Sequence, residues 1–107
     1  MAVRTAASRV LSLLATLVRV VAAVIGGIIL LHAVFVLFEA NPGNPLVEFT
    51  TSWRNAFAWF TRDLFSTDDP KIAEAINDAI AALIYVVLGS LASKLILRLA
   101  PTARARS

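Results

Sequence analysis

The chain has 107 residues, of which 59% are hydrophobic and 16% are charged, and its formal net charge is +3. Soluble domains carry about 25% charged and about 45–50% apolar residues, and a chain this short has too little interior to bury the excess. The composition therefore excludes an ordinary soluble enzyme, and also a disordered chain, which needs low hydrophobicity. Because cysteine is absent, disulfides, thiolate zinc sites and thiol nucleophiles are excluded as well.

Residues 1–19 are predicted to form a cytoplasmic amphipathic helix that runs into the next segment. Its polar residues recur at spacings of four and three, which is typical of one helix face: Arg4, Ser8, Ser12, Thr16 and Arg19. This face lies in the headgroup region if the segment is interfacial. Alternatively, it contacts a partner helix.

Residues 20–38 form an uncharged run of 19 residues, close to the roughly 20 that a membrane-spanning helix needs. We therefore predict the first transmembrane helix here. The alternative is a cleaved signal peptide. It is disfavoured because the apolar run exceeds the usual length of about 7–15 residues. In addition, cleavage after Ala40 would place Phe38 where a small residue is needed.

Residues 39–69 are predicted to be an extracytoplasmic connection, because two prolines and a glycine within 40–45 end the first helix. Over about 46–65, apolar residues share one face of a 3.6-residue period: Leu46, Phe49, Trp53, Ala56, Phe57, Phe60 and Leu64. The opposite face carries Arg54 among other polar residues. Aromatic residues concentrate at membrane interfaces, so we predict a helix lying on the outer leaflet through Phe49, Trp53, Phe57 and Phe60. Packing of the same face on the two spans, as a lid, is the alternative.

Residues 70–100 are predicted to be the second helix, transmembrane from about residue 79, with Asp69 as its N-cap and Pro70 at its first position. Lys94 and Arg98 interrupt the apolar run near its end, where their long side chains can reach the headgroups. Residues 101–107 form a basic cytoplasmic tail.

The charges are distributed asymmetrically around the two predicted spans. All seven acidic residues lie between Glu39 and Asp78, whereas seven of the ten basic residues lie in the flanks. Lys and Arg near a span favour the cytoplasmic side, so both termini are predicted to be cytoplasmic in a bacterial cell membrane. The flanking bases lie next to the spans, which favours contact with the lipid bilayer over binding of nucleic acid.

Small residues on both spans are expected to let the helix backbones approach closely. We predict that the packing positions are Ala22, Gly26, Gly27, Ala33, Ala82, Gly89 and Ser93. Simple intramolecular packing of a helical hairpin would use them. So would association with a second copy or with a larger membrane complex.

His32 and Tyr85 are the intramembrane polar residues, and their similar predicted depth would allow a hydrogen bond between them. His32 is a neutral hydrogen-bonded residue, an interfacial residue facing the loop helix, or a group that handles protons or ions. Glu74 and Asp78 lie one turn apart. They are partners of the helix dipole or, alternatively, attract cations. One histidine without other ligands makes no metal site, and no catalytic or cofactor-binding residue is predicted.

The order of features resembles a known family. A hydrophobic helix is followed by the sequence Asn-Pro-Gly-Asn-Pro-Leu-Val at 41–47, an aromatic amphipathic stretch and a second hydrophobic helix. This arrangement looks like one repeat of the YggT family of small bacterial membrane proteins. It also looks like small two-span proteins of actinobacteria with an Asn-Pro-rich outer loop. The resemblance implies links to osmotic stress and to cell-division membranes, and it carries over no catalytic residue.

The sequence thus predicts an all-α integral membrane hairpin of structural or accessory type, which acts through helix–helix association and is not an enzyme. The alternative is a pore-forming or channel subunit, including a holin-like protein that permeabilises the membrane. The long aromatic connection argues against the holin version, because holins tend to have shorter connections.

Overall fold

The computed structural model describes residues 2–99, with side chains from Thr5 onward. The described chain is all-α, as predicted, and consists of helices α1 (Ala2–Leu37), α2 (Pro45–Phe57) and α3 (Pro70–Arg98), with a 3₁₀ turn at Trp59–Thr61. Helices α1 and α3 are long and apolar enough to cross a membrane. The predicted basic tail, 101–107, lies outside the described residues.

The boundary predicted between segments 1–19 and 20–38 lies inside one continuous helix, α1, which runs for 36 residues from Ala2 to Leu37. Its end is closed by two backbone bonds: Ala40 N donates to Phe35 O over 2.9 Å, and Glu39 N donates to Val36 O over 3.1 Å. This is the Schellman motif, in which the residue after the helix has the left-handed backbone conformation. Glu39 takes that conformation with φ 54°, and its carboxylate pairs with Lys71 Nζ at 3.0 Å.

Helix α2 starts at Pro45, close to the start predicted at about residue 46. The side chain of Asn44 accepts a hydrogen bond from Leu46 N over 2.9 Å, and Pro45 occupies the first helical position. The helix is shorter than the predicted 46–65, because it ends at Phe57 and only a 3₁₀ turn follows. Residues 62–65 instead bond to the side chain of Asn77 through backbone groups of Arg62 and Phe65.

Helix α3 begins as predicted. Asp69 Oδ1 accepts a hydrogen bond from Lys71 N over 3.0 Å, and Pro70 is the first helical residue. The cap satisfies one of the backbone N–H groups that the first turn leaves without an intrahelical partner. The predicted N-cap is confirmed.

The chain divides into two compact units, of which residues 24–85 form one. In this unit the last turns of α1 run antiparallel to the first turns of α3, and α2 packs on both. The core is small and rich in alanine, with four buried residues, Ile29, Ala58, Ala81 and Ala82. Four partly buried ones surround it: Ile25, Trp53, Phe57 and Tyr85. Small side chains allow the two long helices to approach closely.

The other unit comprises residues 1–23 and 86–107. In its described part, Ala15, Ala22, Gly89 and Ser93 are buried. A Cβ atom at Gly89 would overlap the Cβ of Ala22, so the two helices are in direct contact at these positions.

The two adjacent glycines of α1 have different surroundings. A Cβ at Gly26 would lie 3.0 Å from the carbonyl oxygen of Ala82, whereas a Cβ at Gly27 would meet nothing within 4 Å. Gly27 therefore makes no close helix contact among the described residues, because a step of one residue turns the helix face by about 100°. Its predicted use in association with another helix stays a prediction. Ala33 and Ala82, also predicted packing positions, are buried.

We expect Gly26→Ala to destabilise the protein by about 1–3 kcal/mol, because the added methyl group forces the backbones of α1 and α3 apart. Gly27→Ala is the matched control. It adds the same methyl group in open space and should be neutral or stabilising by up to about 1 kcal/mol. Denaturation in detergent micelles, followed by circular dichroism, measures both effects. Equal destabilisation by the two substitutions would contradict the packing described here.

Candidate functional site: a buried ionic cluster

Four ionisable side chains from all three helices meet inside the unit formed by residues 24–85. His32 comes from the last two turns of α1, Arg54 from α2, and Glu74 and Asp78 from consecutive turns of α3. His32, Arg54 and Asp78 are buried, while the side chain of Glu74 is 34% exposed. We call these four residues the ionic cluster.

Asp78 is the centre of the ionic cluster and is 0% exposed. Its Oδ2 lies 2.6 Å from His32 Nδ1, and its Oδ1 accepts a hydrogen bond from Arg54 Nε over 3.1 Å. A buried carboxylate is costly unless it is paired and hydrogen-bonded. Both of its oxygens have such partners here, one from α1 and one from α2.

Glu74 is held more loosely than Asp78. Its Oε2 lies 3.5 Å from His32 Nε2 and 3.7 Å from Arg54 Nη2. Good hydrogen bonds of this type span about 2.7–3.2 Å, so both contacts are electrostatic rather than hydrogen-bonded. The carboxylate of Glu74 therefore has room to take another partner.

The charges of the ionic cluster do not cancel when the imidazole is neutral. Two carboxylates face one guanidinium, which leaves one negative charge in a largely buried place. A proton on His32, or a bound cation, would offset that charge. The site therefore has carboxylate oxygens that can accept hydrogen bonds, and its net negative charge favours binding of a cation.

His32, Glu74 and Asp78 also form a group that could hold a metal ion. One ligand atom from each of them lies within 4.8 Å of the others. This arrangement was not predicted, because the acid pair of α3 and the lone histidine of α1 are far apart in the sequence. The sequence pattern also placed Arg54 on the exposed face of the loop helix, whereas Arg54 is only 9% exposed. One sequence feature could have indicated a buried site: Glu74 and Asp78 lie on the same face of α3 as the apolar residues that follow them.

The hydrogen bond predicted between His32 and Tyr85 is not formed. The Tyr85 hydroxyl donates instead to the carbonyl oxygen of Phe57 over 2.6 Å, and His32 contacts the two acids of α3. A hydroxyl beside a helix end finds a nearer acceptor there, because the last carbonyls of a helix lack intrahelical partners.

The four predicted interfacial aromatic residues divide into two pairs. Trp53 and Phe57 pack on the alanine-rich core, with ring centroids 4.7 Å apart, and Trp53 Nε1 donates to Ile25 O over 3.2 Å. Phe49 and Phe60 are exposed by 48% and 40%. The first pair packs against the core between α1 and α3, whereas the second leaves much of its surface exposed.

Asn77 stabilises the segment after α2. Its Nδ2 donates to the carbonyl oxygens of Arg62 and Phe65, and its Oδ1 accepts from Phe65 N over 3.0 Å. The side chain is 1% exposed. This amide therefore fixes the loop next to the ionic cluster, and its role was not predicted from the sequence.

Two open cavities border the ionic cluster. One, of about 430 Å³, is lined by His32, Glu39 and Lys71 together with apolar residues. The other, of about 400 Å³, is lined by Arg54, Arg62, Glu74 and Asn77 among others. Small ions and water can therefore approach the cluster from either cavity.

Comparison with protein-family models, with curated proteins and with solved structures finds no match to this chain. The resemblance to the YggT family therefore stays a prediction, carried by the sequence features alone.

We expect Arg54→Gln to destabilise the protein by about 3 kcal/mol, because it removes the guanidinium that pairs with the buried Asp78 carboxylate. Arg62→Gln is the matched control, since Arg62 is exposed and its substitution should cost less than about 1 kcal/mol. Denaturation in micelles measures both values. The description of the ionic cluster would be wrong if the two variants lost the same stability.

Proposed function

We propose that the protein is a small integral membrane protein of structural or accessory type, and not an enzyme. In this proposal α1 and α3 span a bacterial cell membrane, with both termini in the cytoplasm. The observation that carries it is the apolar surface that α1 and α3 leave uncovered. Only 22% of the most apolar 18-residue window of each helix is buried. The core helix of a soluble protein would be mostly buried.

The uncovered apolar surface extends along both long helices. Its large side chains are exposed by about two fifths to two thirds, among them Val20, Val24, Leu31, Val34, Leu83, Val87 and Leu91. Soluble proteins rarely expose contiguous apolar patches of more than a few hundred Å². Exposing these apolar side chains to water is unfavourable, whereas exposing them to lipid is not. In the proposal, lipid surrounds them because α1 and α3 span the membrane.

The connection between the spans supports the proposed orientation. The connection and the first turns of α3 together hold all seven acidic residues, whereas the flanks hold seven of the ten basic residues. Basic residues next to a span favour the cytoplasmic side. Several exposed aromatic side chains surround the folded loop: Phe49, Trp59, Phe60 and Phe65. In the proposal they lie at the outer interface, where aromatic residues concentrate.

The accessory role rests on helix association. Among residues 2–99, no other part of the structure comes within 4 Å of a Cβ built at Gly27, so this face of α1 is open to close approach by another helix. Small residues at such a face are typical of helix–helix contacts in lipid. We propose that a second copy, or a helix of a larger membrane complex, packs there.

The second candidate is a pore-forming or channel subunit, and the ionic cluster favours it. Ionisable residues within membrane helices commonly mark ion or proton pathways, and two cavities border this cluster. Because two spans cannot enclose a pore, this function would require several copies of the chain.

The proposed topology is tested by labelling single cysteines, which the cysteine-free chain makes straightforward. In intact cells, a membrane-impermeant maleimide should label Ser66→Cys in the connection. It should label Ser107→Cys only after the membrane is permeabilised. Leu30→Cys, in the proposed span, should resist labelling in both states. Release of the protein from membranes by alkaline carbonate, or labelling of Ser107→Cys in intact cells, would contradict the proposal.

Association is tested by crosslinking the full-length chain in liposomes. Gly27→Leu should reduce the crosslinked species about tenfold, because it blocks close approach at the open face. Val87→Leu, which enlarges an exposed side chain of α3, is the control and should leave crosslinking unchanged. A chain that stays monomeric in native membranes, without neighbours, would contradict the accessory role. Release of dye from the same liposomes would instead support the pore-forming candidate.

A further inference from the structure

We propose that His32 Nε2 and the carboxylate of Glu74 bind a divalent transition-metal ion of the Zn²⁺ class. Asp78 acts behind them as a positioning residue. This site goes beyond the structural or accessory role and does not depend on it.

The contact between His32 and Asp78 prepares the imidazole for a metal. With Nδ1–H donating to Asp78 Oδ2 over 2.6 Å, the lone pair of the neutral ring is on Nε2. Histidines that bind metals commonly donate their other ring N–H to a carboxylate, which fixes the tautomer and the ring orientation. Arg54 Nε holds the second oxygen of Asp78, so this carboxylate is itself fixed.

The separation of the two proposed ligand atoms also fits a metal ion. His32 Nε2 and Glu74 Oε2 are 3.5 Å apart, which is too long for a good hydrogen bond. Zinc binds nitrogen and oxygen at about 2.0–2.2 Å in tetrahedral geometry, so that two ligands of one ion lie about 3.4 Å apart. The observed distance therefore leaves room for one ion between the two atoms.

Glu74 is free to serve as a ligand. Both of its contacts within the described residues are 3.5 Å or longer, and its side chain is 34% exposed. It lines the cavity of about 400 Å³, from which water molecules can complete the coordination shell. Imidazole and carboxylate together suit Zn²⁺ and similar ions.

A metal ion at this site would compete with Arg54 for the carboxylate of Glu74 and with a proton for His32 Nε2. Arg54 Nη2 lies 3.7 Å from Glu74 Oε2, and its charge weakens the attraction of a second cation. Two protein ligands also bind less tightly than the three of a catalytic zinc site. A proton on Nε2 would occupy the same place as the metal and would donate toward Glu74.

The single histidine of the chain makes the test direct. The full-length protein, prepared without a histidine tag and labelled with ¹⁵N-histidine, is titrated with ZnCl₂ in detergent micelles. Without metal, we expect Nδ1 to carry the proton and Nε2 to carry none. Zinc should then shift the Nε2 resonance in a saturable way.

Glu74→Gln should weaken zinc binding at least about tenfold, the scale seen when groups around a metal site are removed. The Glu74 side chain makes no hydrogen bond with the described residues, so the His32–Asp78 signal should persist and report the fold. Glu39→Gln is the matched control. It removes another carboxylate, which lines the neighbouring cavity, and it should leave zinc binding unchanged.

Three results would overturn the proposal. The first is an Nε2 resonance that does not respond to millimolar zinc while the His32–Asp78 signal is intact. The second is a proton on Nε2 that zinc does not displace. The third is equal zinc affinity of the original chain and Glu74→Gln.

Discussion

The structure of residues 24–85 depends on one buried carboxylate, that of Asp78. A buried charge that loses its partners costs several kcal/mol, so the unit is stable only when α1 supplies His32 and α2 supplies Arg54. The rest of this unit is a small alanine-rich core, which provides little apolar area to define the position of a 13-residue helix. The ionic contacts to Asp78 therefore decide where α2 lies against the long helices.

Three further contacts hold the connection, and each pairs a side chain with the backbone of another segment. Trp53 donates to Ile25 O, Tyr85 donates to Phe57 O, and Asn77 bonds to Arg62 and Phe65. Hydrogen bonds of this kind fix orientation as well as distance. As a result, a connection with many exposed aromatic side chains is a folded element, and those side chains are presented at defined positions.

The features that were predicted correctly from the sequence are local ones. The all-α class, a helix in the connection starting near residue 46 and the cap at Asp69 each depend on residues within one or two turns. Arg54 and Asn77 could not be predicted in this way, because the carboxylates that pair with Arg54 lie on α3 and the partners of Asn77 lie in the loop after α2. The amphipathic pattern of the loop placed Arg54 toward solvent, since the pattern assumes an apolar core. Here the buried side of α2 faces a carboxylate and an imidazole.

The small-residue pattern was partly informative for a similar reason. It identified Gly26 and Gly89, which lie at helix contacts, but also Gly27, which does not. The spacing of small residues in the sequence shows which positions could allow two helices to approach closely. Which of them does so depends on how the helix is rotated about its axis. In this chain the rotation of α1 is constrained by His32, which must reach Asp78.

The most direct test of the central role of Asp78 is a double-mutant cycle between Arg54 and Asp78, measured by denaturation in micelles. Arg54→Met and Asp78→Asn are each expected to destabilise the chain, and the double variant should lose less stability than the sum of the two. Residues in direct contact typically show coupling of about 0.5–3 kcal/mol, and this pair should lie in the upper half of that range. Additive effects, with no coupling, would show that Asp78 and Arg54 do not hold α2 in place.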